Sequence, residues 1–202
     1  MYPSTLKNVL KPAQNLPVNI DPHAAGAQHD FVRILVSLFN ELKSCSSQLL
    51  ILGIGSDRST GDSLGPLVGN YLENLFYKYQ NVTVLGTLSQ PVHALNLEET
   101  RELLDQDFST AAVLAIDACL GQKNKVGYLE IGRGSILPGA AVQKKLPPVG
   151  DLYVTGVVNT GGFLDALILQ STRLGLVFPL AQFIGRGIFK AVSATEWLTT
   201  HS

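Results

Sequence analysis

Hydrophobic and polar positions follow one another along the chain in blocks that predict helices and strands in turn. From Asp30 onward, apolar residues recur at the three- and four-residue spacing of an amphipathic helix, which ends near Ser44. Unbroken apolar runs predict buried strands over residues 48–54, 82–87, 111–117, 128–131 and 152–158. Helical spacing predicts further helices over residues 63–79, directly after Asn96, and over residues 162–174 and 176–198. This alternation predicts an α/β fold with a mostly parallel, doubly wound sheet.

The same pattern predicts one domain preceded by an arm. Residues 1–28 are rich in Pro, Asn, Ala and Gly and lack periodicity, so we expect an extended or partly ordered arm there. Residues 29–202 carry the periodic segments and suffice for one well-filled domain.

Composition narrows the range of partners and compartments. A formal net charge of −1 with 15% charged residues provides no basic surface for nucleic acid. The longest apolar stretches are interrupted by Gly, Pro or charge before they reach membrane length. Two cysteines cannot build a disulfide framework, and the N-terminus lacks the pattern of a signal peptide. We therefore expect a cytoplasmic protein that binds neither nucleic acid nor membrane.

A glycine-rich segment, GIGSDRSTGDSLGP over residues 53–66, lies between the first buried strand and the next helix. Open α/β sheets build their sites at such strand-to-helix loops. Arg58 occupies the third glycine position of a dinucleotide fingerprint, and Asp62 stands where a phosphate-binding loop would place Lys. Because a carboxylate repels phosphate, both phosphate-binding interpretations are disfavoured.

Asp62 has a counterpart in Asp117, which ends the apolar run of residues 111–117. If the first strand lies between the second and the third, both aspartates face the crevice at the switch point of the sheet. We expect amides at the helix start to stabilise Asp62 as an anion, and burial to keep Asp117 neutral. Such a pair can act as base and acid in amide hydrolysis. Helix capping by Asp62 and turn formation by Asp117 remain the structural alternatives.

Three further residues are candidates for chemistry. Ser63 lies in a Gly-Asp-Ser-Leu-Gly string that matches the nucleophile elbow of a serine esterase of the GDSL type. The only late histidine is His201, and Leu198 occupies the place of the Asp that should precede it. His93 follows the second strand and is expected at the same edge of the sheet as the aspartates. Cys119 is expected to pack rather than react.

The glycine segment and the Ala-Ile-Asp-Ala motif of residues 115–118 resemble the bacterial spore germination protease, an atypical aspartic peptidase of small acid-soluble spore proteins. This resemblance implies that Asp62 and Asp117 are the catalytic pair. Residues 136–139 are similar to that family's His-Pro-Gly segment, and Asp165 matches an Asp after its late strand. The chain length and residues 159–162 resemble the YyaC-type sporulation proteins more closely still.

The wider fold resembles the hydrogenase maturation endopeptidases, which implies a three-layer α/β/α sandwich. In those enzymes two acids and a later histidine bind a metal, so the alternative ligand set here is Asp62, Asp117 and His93. Our expectation is nevertheless a site without a cofactor, because no histidine follows at the matching later position and His93 comes from an earlier loop.

Together these observations predict a spore-associated endopeptidase with a protein or peptide substrate, and they leave a homo-oligomer open. The residues expected to bind substrate or to support the pair are Gly55, Ser56, Ser63, His93, Asn159 and Thr160. Two alternatives stay open: a sporulation interaction protein that kept the fold without turnover, and the serine esterase that would use Ser63.

Overall fold

A six-stranded sheet forms the centre of the computed structural model, which describes residues 16–138, 148–195, 197 and 198. The strands are β1 (Val18–Ile20), β2 (Leu49–Gly53), β3 (Val82–Leu85), β4 (Ala112–Gly121), β5 (Leu129–Arg133) and β6 (Leu152–Thr160). The helices are α1 (Ala27–Lys43), α2 (Leu64–Phe76), α3 (Leu97–Asp107), α4 (Asp165–Gln170) and α5 (Leu174–Ser193). Within the described residues, single turns of 3-10 helix cover Gly61–Ser63 and Lys123–Lys125.

The strand order in the sheet is β1-β5-β6-β4-β2-β3. Strands β3, β2, β4 and β6 are parallel to one another, whereas β5 runs antiparallel to both β6 and β1. The mostly parallel, doubly wound sheet expected from the sequence is therefore confirmed. Because β2 pairs with β3 on one side and β4 on the other, the chain reverses direction at β2, and the switch point lies at its carboxyl end.

Helices cover both faces of the sheet and make three layers. On one face α1, α2 and α5 pack around a large apolar core that includes Phe31, Leu72 and Ile184. On the opposite face a smaller apolar cluster joins β2 to α3, with Leu52 and Leu97 among its members. The unbroken apolar sequence of β2 follows from this arrangement, since all five of its residues are buried.

Glycine allows α2 to approach the sheet at the switch point. A Cβ atom on Gly65, in the first turn of α2, would overlap the backbone of Ile54, directly after β2. The helix therefore begins in direct backbone contact with the end of the strand, and it fixes the loop of residues 55–61 over the carboxyl edge of the sheet.

Several boundaries differ from those predicted by the sequence. Val18–Ile20, within the segment predicted as an arm, pairs with β5 as an edge strand, and α1 begins at Ala27 rather than near residue 30. Three residues paired with a distant strand leave no periodic signal. The helix predicted over residues 162–174 is only Asp165–Gln170, since Gly161 and Gly162 precede it and Asp165 accepts a hydrogen bond from the Gly162 amide.

Helix α5 is, among the described helices, the one that is long and apolar enough to cross a membrane by length and composition. The sequence had predicted no apolar stretch long enough to cross a membrane, so the length of this apolar helix was not expected. Half of the most apolar part of this helix is buried inside the protein, where the helix packs against α1 and α2. A helix in the core of an α/β domain can have the same length and apolar composition, so these two properties alone are weak evidence for a membrane span.

Candidate functional site

Asp117 lies where β4 runs past the end of its neighbour β2. Gly53, the last residue of β2, pairs with Ile116, and the amide of Ile54 still donates to the Ile116 carbonyl at 2.7 Å. The following amide, that of Gly55, turns away and donates to Val92 at 2.8 Å. Asp117 therefore lies at the gap that β2 leaves open, while β6 still supports it on the other side. The predicted location at a strand tip is wrong, because β4 continues to Gly121.

Asp62 reaches the same gap from the 3-10 turn that precedes α2. Its amide donates to the Ser59 carbonyl at 3.0 Å, and its own carbonyl accepts the Ser56 amide at 3.1 Å. Gly55 has a φ of 134°, and a Cβ atom there would overlap the Asp62 carbonyl oxygen. Only glycine fits this close contact, so Gly55 and Ser56 determine where the Asp62 turn lies.

Burial raises the pKa of both carboxyl groups above the ordinary value of 3.8. The rise in pKa is larger at Asp117 than at Asp62. The negative charge of Asp62 raises the pKa of Asp117 further, whereas the Ala118 amide, which donates to Asp117 Oδ1 at 2.7 Å, opposes the rise. At Asp62 the Ser56 amide and the charge of His93 oppose the rise but do not cancel it. The expected neutral character of Asp117 agrees with this direction. The expected net stabilisation of Asp62 as an anion is wrong, because desolvation outweighs the nearby amides.

Two cavities meet at the aspartates. One, of about 200 Å³, is lined by Gly55, Ser56, Arg58, His93 and Leu95 among others. The other, of about 310 Å³, is lined mainly by apolar groups, together with Cys119, Thr155 and Asp165. Asp62 and Asp117 line both of them, so the carboxyl pair lies at their junction.

His93 shares the smaller cavity with both acids and is held more firmly than a loop position suggests. Its amide donates to Asn96 Oδ1 at 2.8 Å, and Asn96 Nδ2 donates in turn to the Pro91 carbonyl at 2.9 Å. The Leu95 amide donates to His93 Nδ1 at 3.2 Å. Asn96 directly precedes α3 and makes no side-chain capping bond to that helix, so its side chain fixes the histidine loop instead.

Ser63 and Cys119 are not arranged as nucleophiles. The Ser63 hydroxyl is buried and donates to the Thr60 carbonyl at 2.7 Å, and Ser63 lines neither cavity beside the aspartates. Burial raises the pKa of the Cys119 thiol to about 11, so the sulfur is protonated at neutral pH. A serine esterase would need a base at Ser63, and the hydroxyl proton is instead committed to a backbone carbonyl.

Asn159 and Thr160 lie away from the aspartates, contrary to expectation. The Asn159 side chain donates to Thr172 Oγ1 at 3.1 Å and accepts the Thr160 amide at 2.8 Å. It lines a separate cavity of about 380 Å³ with residues around the start of α5, such as Arg173. Its function is to tie the end of β6 to the turn between α4 and α5, a contact that depends on tertiary structure and leaves no motif.

A transition-metal site made of two acids and one histidine needs three protein ligands around one point. Among the described residues no group of three His, Cys, Asp or Glu side chains is placed to hold an ion, although Asp62, Asp117 and His93 line one cavity. The donor set thus does not fit the metal site of the hydrogenase maturation endopeptidases. Leu137, at the position of the germination protease histidine, lines the apolar cavity instead.

Arg58 and Thr155 join the site without having been predicted as functional residues. Arg58 lines the smaller cavity from the exposed part of the glycine loop, and Thr155 lines the larger one beside Asp117 on β6. Pairing of β6 with β4 could have indicated Thr155, since residues opposite each other on parallel strands share an edge. Arg58 was visible in the glycine segment, where it had been considered only as a mismatch.

Comparisons with known proteins agree with this architecture. Residues 22–187 match the family described as "Protein of unknown function (DUF1256)". The chain is 44% identical over 155 residues to "Uncharacterized protein YyaC" of Bacillus subtilis (strain 168), which covers 77% of this chain and 74% of that protein. The NiFe hydrogenase maturation protease HycI from Thermococcus kodakarensis KOD1 has a similar structure, with a TM-score of 0.53, 18% identity, and coverage of 78% of this chain and 99% of that one. The resemblance to YyaC-type proteins and the hydrogenase-maturation-peptidase-like fold are both confirmed.

Proposed function

The chain belongs to the DUF1256 family and is similar to YyaC. We propose that it is an endopeptidase that cleaves polypeptides with Asp62 and Asp117. The observation that carries the proposal is the location of the two carboxyl groups at the junction of two cavities. An endopeptidase must hold chain on both sides of the bond that it cuts, and a cavity on each side of the pair provides that space. The likeness of the fold to a protease supports the same function.

The two carboxyl groups divide the chemistry according to their proton affinities. Asp117, whose pKa is raised more, carries the proton, and Asp62 is the ionised base. Asp62 removes a proton from water as the water oxygen bonds to the carbonyl carbon of the peptide. Asp117 gives its proton to the amide nitrogen as the C–N bond breaks. One proton then returns from Asp62 to Asp117 and restores the starting state.

A raised pKa makes Asp62 a better base than an exposed aspartate. Catalytic efficiency of a general base increases as its pKa approaches the working pH. Burial therefore serves the reaction at both residues, although it does not produce the anion-stabilising environment that the sequence suggested.

Substrate and location follow from the resemblances. Likeness to the spore germination protease and to YyaC-type proteins supports a spore protein as substrate, in the cytoplasm of the sporulating cell or in the spore interior. The reaction as written needs only water and the two carboxyl groups.

The test is incubation of the purified protein with a mixture of disordered proteins, followed by mass-spectrometric mapping of new termini. We expect cleavage by the wild type, and a loss of nearly all of it in Asp62→Asn or Asp117→Asn. Because the two residues act as a unit, the double variant should lose little more. Asp151→Asn is the control, since its carboxylate accepts the Val113 amide and lines neither cavity. Full activity in either single variant contradicts the assignment, and absence of cleavage by the wild type favours the non-catalytic interaction protein.

A further inference from the structure

A groove at the edge of the sheet leads toward the aspartates. Its cavity, of about 350 Å³, is lined by Val84 and Leu85 of β3, by Glu73 of α2 and by Leu103 of α3. Because α2 and α3 cover opposite faces of the sheet, the two helices form the walls of the groove and β3 forms its floor. We call this cavity the edge groove. The reaction as written above gives it no task.

The floor of the edge groove is the outer side of a terminal strand. Within the described sheet, β3 is last in the strand order and pairs with β2 alone. The Leu49 amide donates to the Asn81 carbonyl at 2.8 Å. Because the bonding residues alternate along a parallel strand, the amide and the carbonyl of Val84 point away from β2. No turn or loop among the described residues bonds to them, so they can pair with an added strand.

This outward-facing edge is confined to β3. Beyond β3, Val92 pairs with Ile54 and takes the place of the strand beside the end of β2. The outer backbone groups of this loop are already bonded. The His93 amide donates to Asn96 Oδ1 at 2.8 Å, and Asn96 Nδ2 donates to the Pro91 carbonyl at 2.9 Å. A strand added beside β3 must therefore leave the sheet at the His93 loop.

The edge groove is continuous with the cavities beside the aspartates. His93 lines both the groove and the smaller of those cavities, and Asp62 and Asp117 join that cavity to the larger one. The three cavities therefore follow one another across the carboxyl edge of the sheet. A strand added beside β3 lies three strand spacings, about 14 Å, from β4, so about four extended residues connect the groove to Asp117.

We propose that the edge groove binds an extended segment of the polypeptide substrate, which adds to β3 as a further strand about four residues from the bond that is cut. This inference rests on the proposed function, and it names the part of the substrate that lies outside the catalytic cavities. Successive side chains of a strand project to opposite faces, so alternate substrate residues contact Glu73 and Leu103. Glu73 is exposed and acidic, and Leu103 is apolar and 41% exposed. The segment that fits has alternate basic and apolar side chains.

Charge and continuity favour the substrate over a second copy of this chain as the occupant. Two copies paired through β3 about a two-fold axis would bring their α2 helices to the same face of the joint sheet. Their Glu73 side chains would then lie on the same side of the contact, where like charges repel. A basic substrate segment meets the same carboxylate with the opposite charge, and it continues into the cavities beside the aspartates.

The first test needs no turnover. The full chain carrying Asp62→Asn is titrated with a short peptide of alternating lysine and valine, and NMR follows the hydrogen exchange of ¹⁵N-valine amides in the protein. Val84→Ile assigns the signal of interest. We expect peptide binding to slow exchange of the Val84 amide about 10-fold, the value of one added hydrogen bond. Unchanged exchange at Val84 overturns the proposal.

Backbone methylation of the peptide separates strand addition from contacts of side chains alone. One probe carries N-methyl groups on all its valine amides, and the other carries them on all its lysine amides. In an added strand one of these two sets faces β3 and the other faces solvent. We expect one probe to bind at least about 10-fold more weakly than the other. Equal affinities of the two probes contradict strand addition.

The second test measures cleavage kinetics with substrates of two lengths. Glu73→Lys should raise KM about 5-fold for a substrate whose basic residue reaches the edge groove, and kcat should not change. The KM of a substrate truncated to within about three residues of the cut should not change, because it ends before the groove. Leu103→Glu is a second variant on the opposite wall. Glu98→Lys is the control, because Glu98 is exposed on α3 and does not line the groove.

The outcomes separate this proposal from the proposed function. Cleavage with a KM that is independent of substrate length, together with unchanged exchange at Val84, overturns the edge groove and leaves the peptidase intact. Protection of Val84 by the peptide without any cleavage by the wild type refutes the peptidase and leaves a polypeptide-binding groove. A dimer in which the Val84 amide is protected without peptide assigns the groove to a second copy and overturns the proposal.

Discussion

Substitution of Gly55 by alanine is the sharpest structural perturbation of the site, because it changes one atom beside Asp62. The residue has a φ of 134°, in a region that only glycine adopts readily. The added Cβ would overlap the carbonyl oxygen of Asp62 and lie 3.4 Å from its Cγ. Two effects therefore combine, backbone strain and displacement of the turn that carries Asp62.

Alanine substitutions at two other glycines allow the cost of backbone strain to be measured apart from the cost of steric overlap. Gly127 has a φ of 92°, and no atom lies within 4 Å of the place that a Cβ atom would take, so Gly127→Ala isolates the strain, about 1–2 kcal/mol. Gly175, in the first turn of α5, has no neighbour within 4 Å, so Gly175→Ala should be neutral or stabilise the protein by up to about 1 kcal/mol. Gly55→Ala adds steric overlap to the strain and should cost about 2–4 kcal/mol in total.

Urea unfolding followed by circular dichroism measures the three free energies of unfolding, and peptide cleavage measures the site. We expect Gly55→Ala to be the least stable of the three variants, Gly127→Ala intermediate and Gly175→Ala at or above the wild type. Cleavage should fall about 100-fold in Gly55→Ala, as for a displacement of roughly 1 Å in a catalytic group, and should stay at the wild-type rate in the others. Equal stability of Gly55→Ala and Gly127→Ala, with full cleavage in both, would refute the reasoning.

Three further predictions concern Asp117, Ser63 and metal. The folded state raises the pKa of Asp117 above 3.8, so the stability that this carboxyl contributes is present below that value and is lost as the pH rises through the folded pKa. Asp117→Asn should therefore unfold at higher urea than the wild type at pH 8, with the difference closing toward pH 4; a variant less stable at pH 8 contradicts the pKa direction. Ser63→Ala should keep its cleavage and the wild type should not react with fluorophosphonates, whereas a stoichiometric Ser63 adduct would establish the esterase. Protein purified without a metal-affinity tag should contain less than one transition metal per chain and stay active in chelator, whereas one ion lost together with activity in His93→Ala would show metal-dependent recognition.

The sequence predicted the parts of this fold that local pattern and chain order determine. Buried runs such as residues 49–53 identified the parallel strands, and the switch point followed from the order of three of them. Asp62 and Asp117 could be brought to one crevice because the sequence shows Asp62 after one apolar run and Asp117 at the end of another, although β4 itself continues past Asp117. This is the part of the site that topology alone specifies.

What the sequence missed depends on contacts between distant segments. β1 exists because Val18–Ile20 pairs with β5, more than a hundred residues away, and three residues carry no periodicity. Asn159 was expected to support the aspartates or the substrate, but a hydrogen bond to Thr172 holds it against the turn after α4. The pKa of Asp62 was misjudged because desolvation depends on the packing around the loop, which the helix start alone does not reveal.

Different contacts hold Asp117 and Asp62 in place. This difference decides which of the two carboxyl groups a substitution can displace more easily. Asp117 belongs to a ten-residue strand that β6 supports along its carboxyl half, so its backbone cannot move without disrupting the sheet. Asp62 belongs to a single turn whose location depends on the absence of a side chain at Gly55 and on one amide contact from Ser56. Substitutions in the loop of residues 55–61 should therefore alter the distance between the carboxyl groups without disrupting the sheet that holds Asp117. Since β2 ends one residue before the level of Asp117, the gap that admits Asp62 is a feature of the sheet itself, and a chain with this strand register can keep the crevice even after the loop has changed.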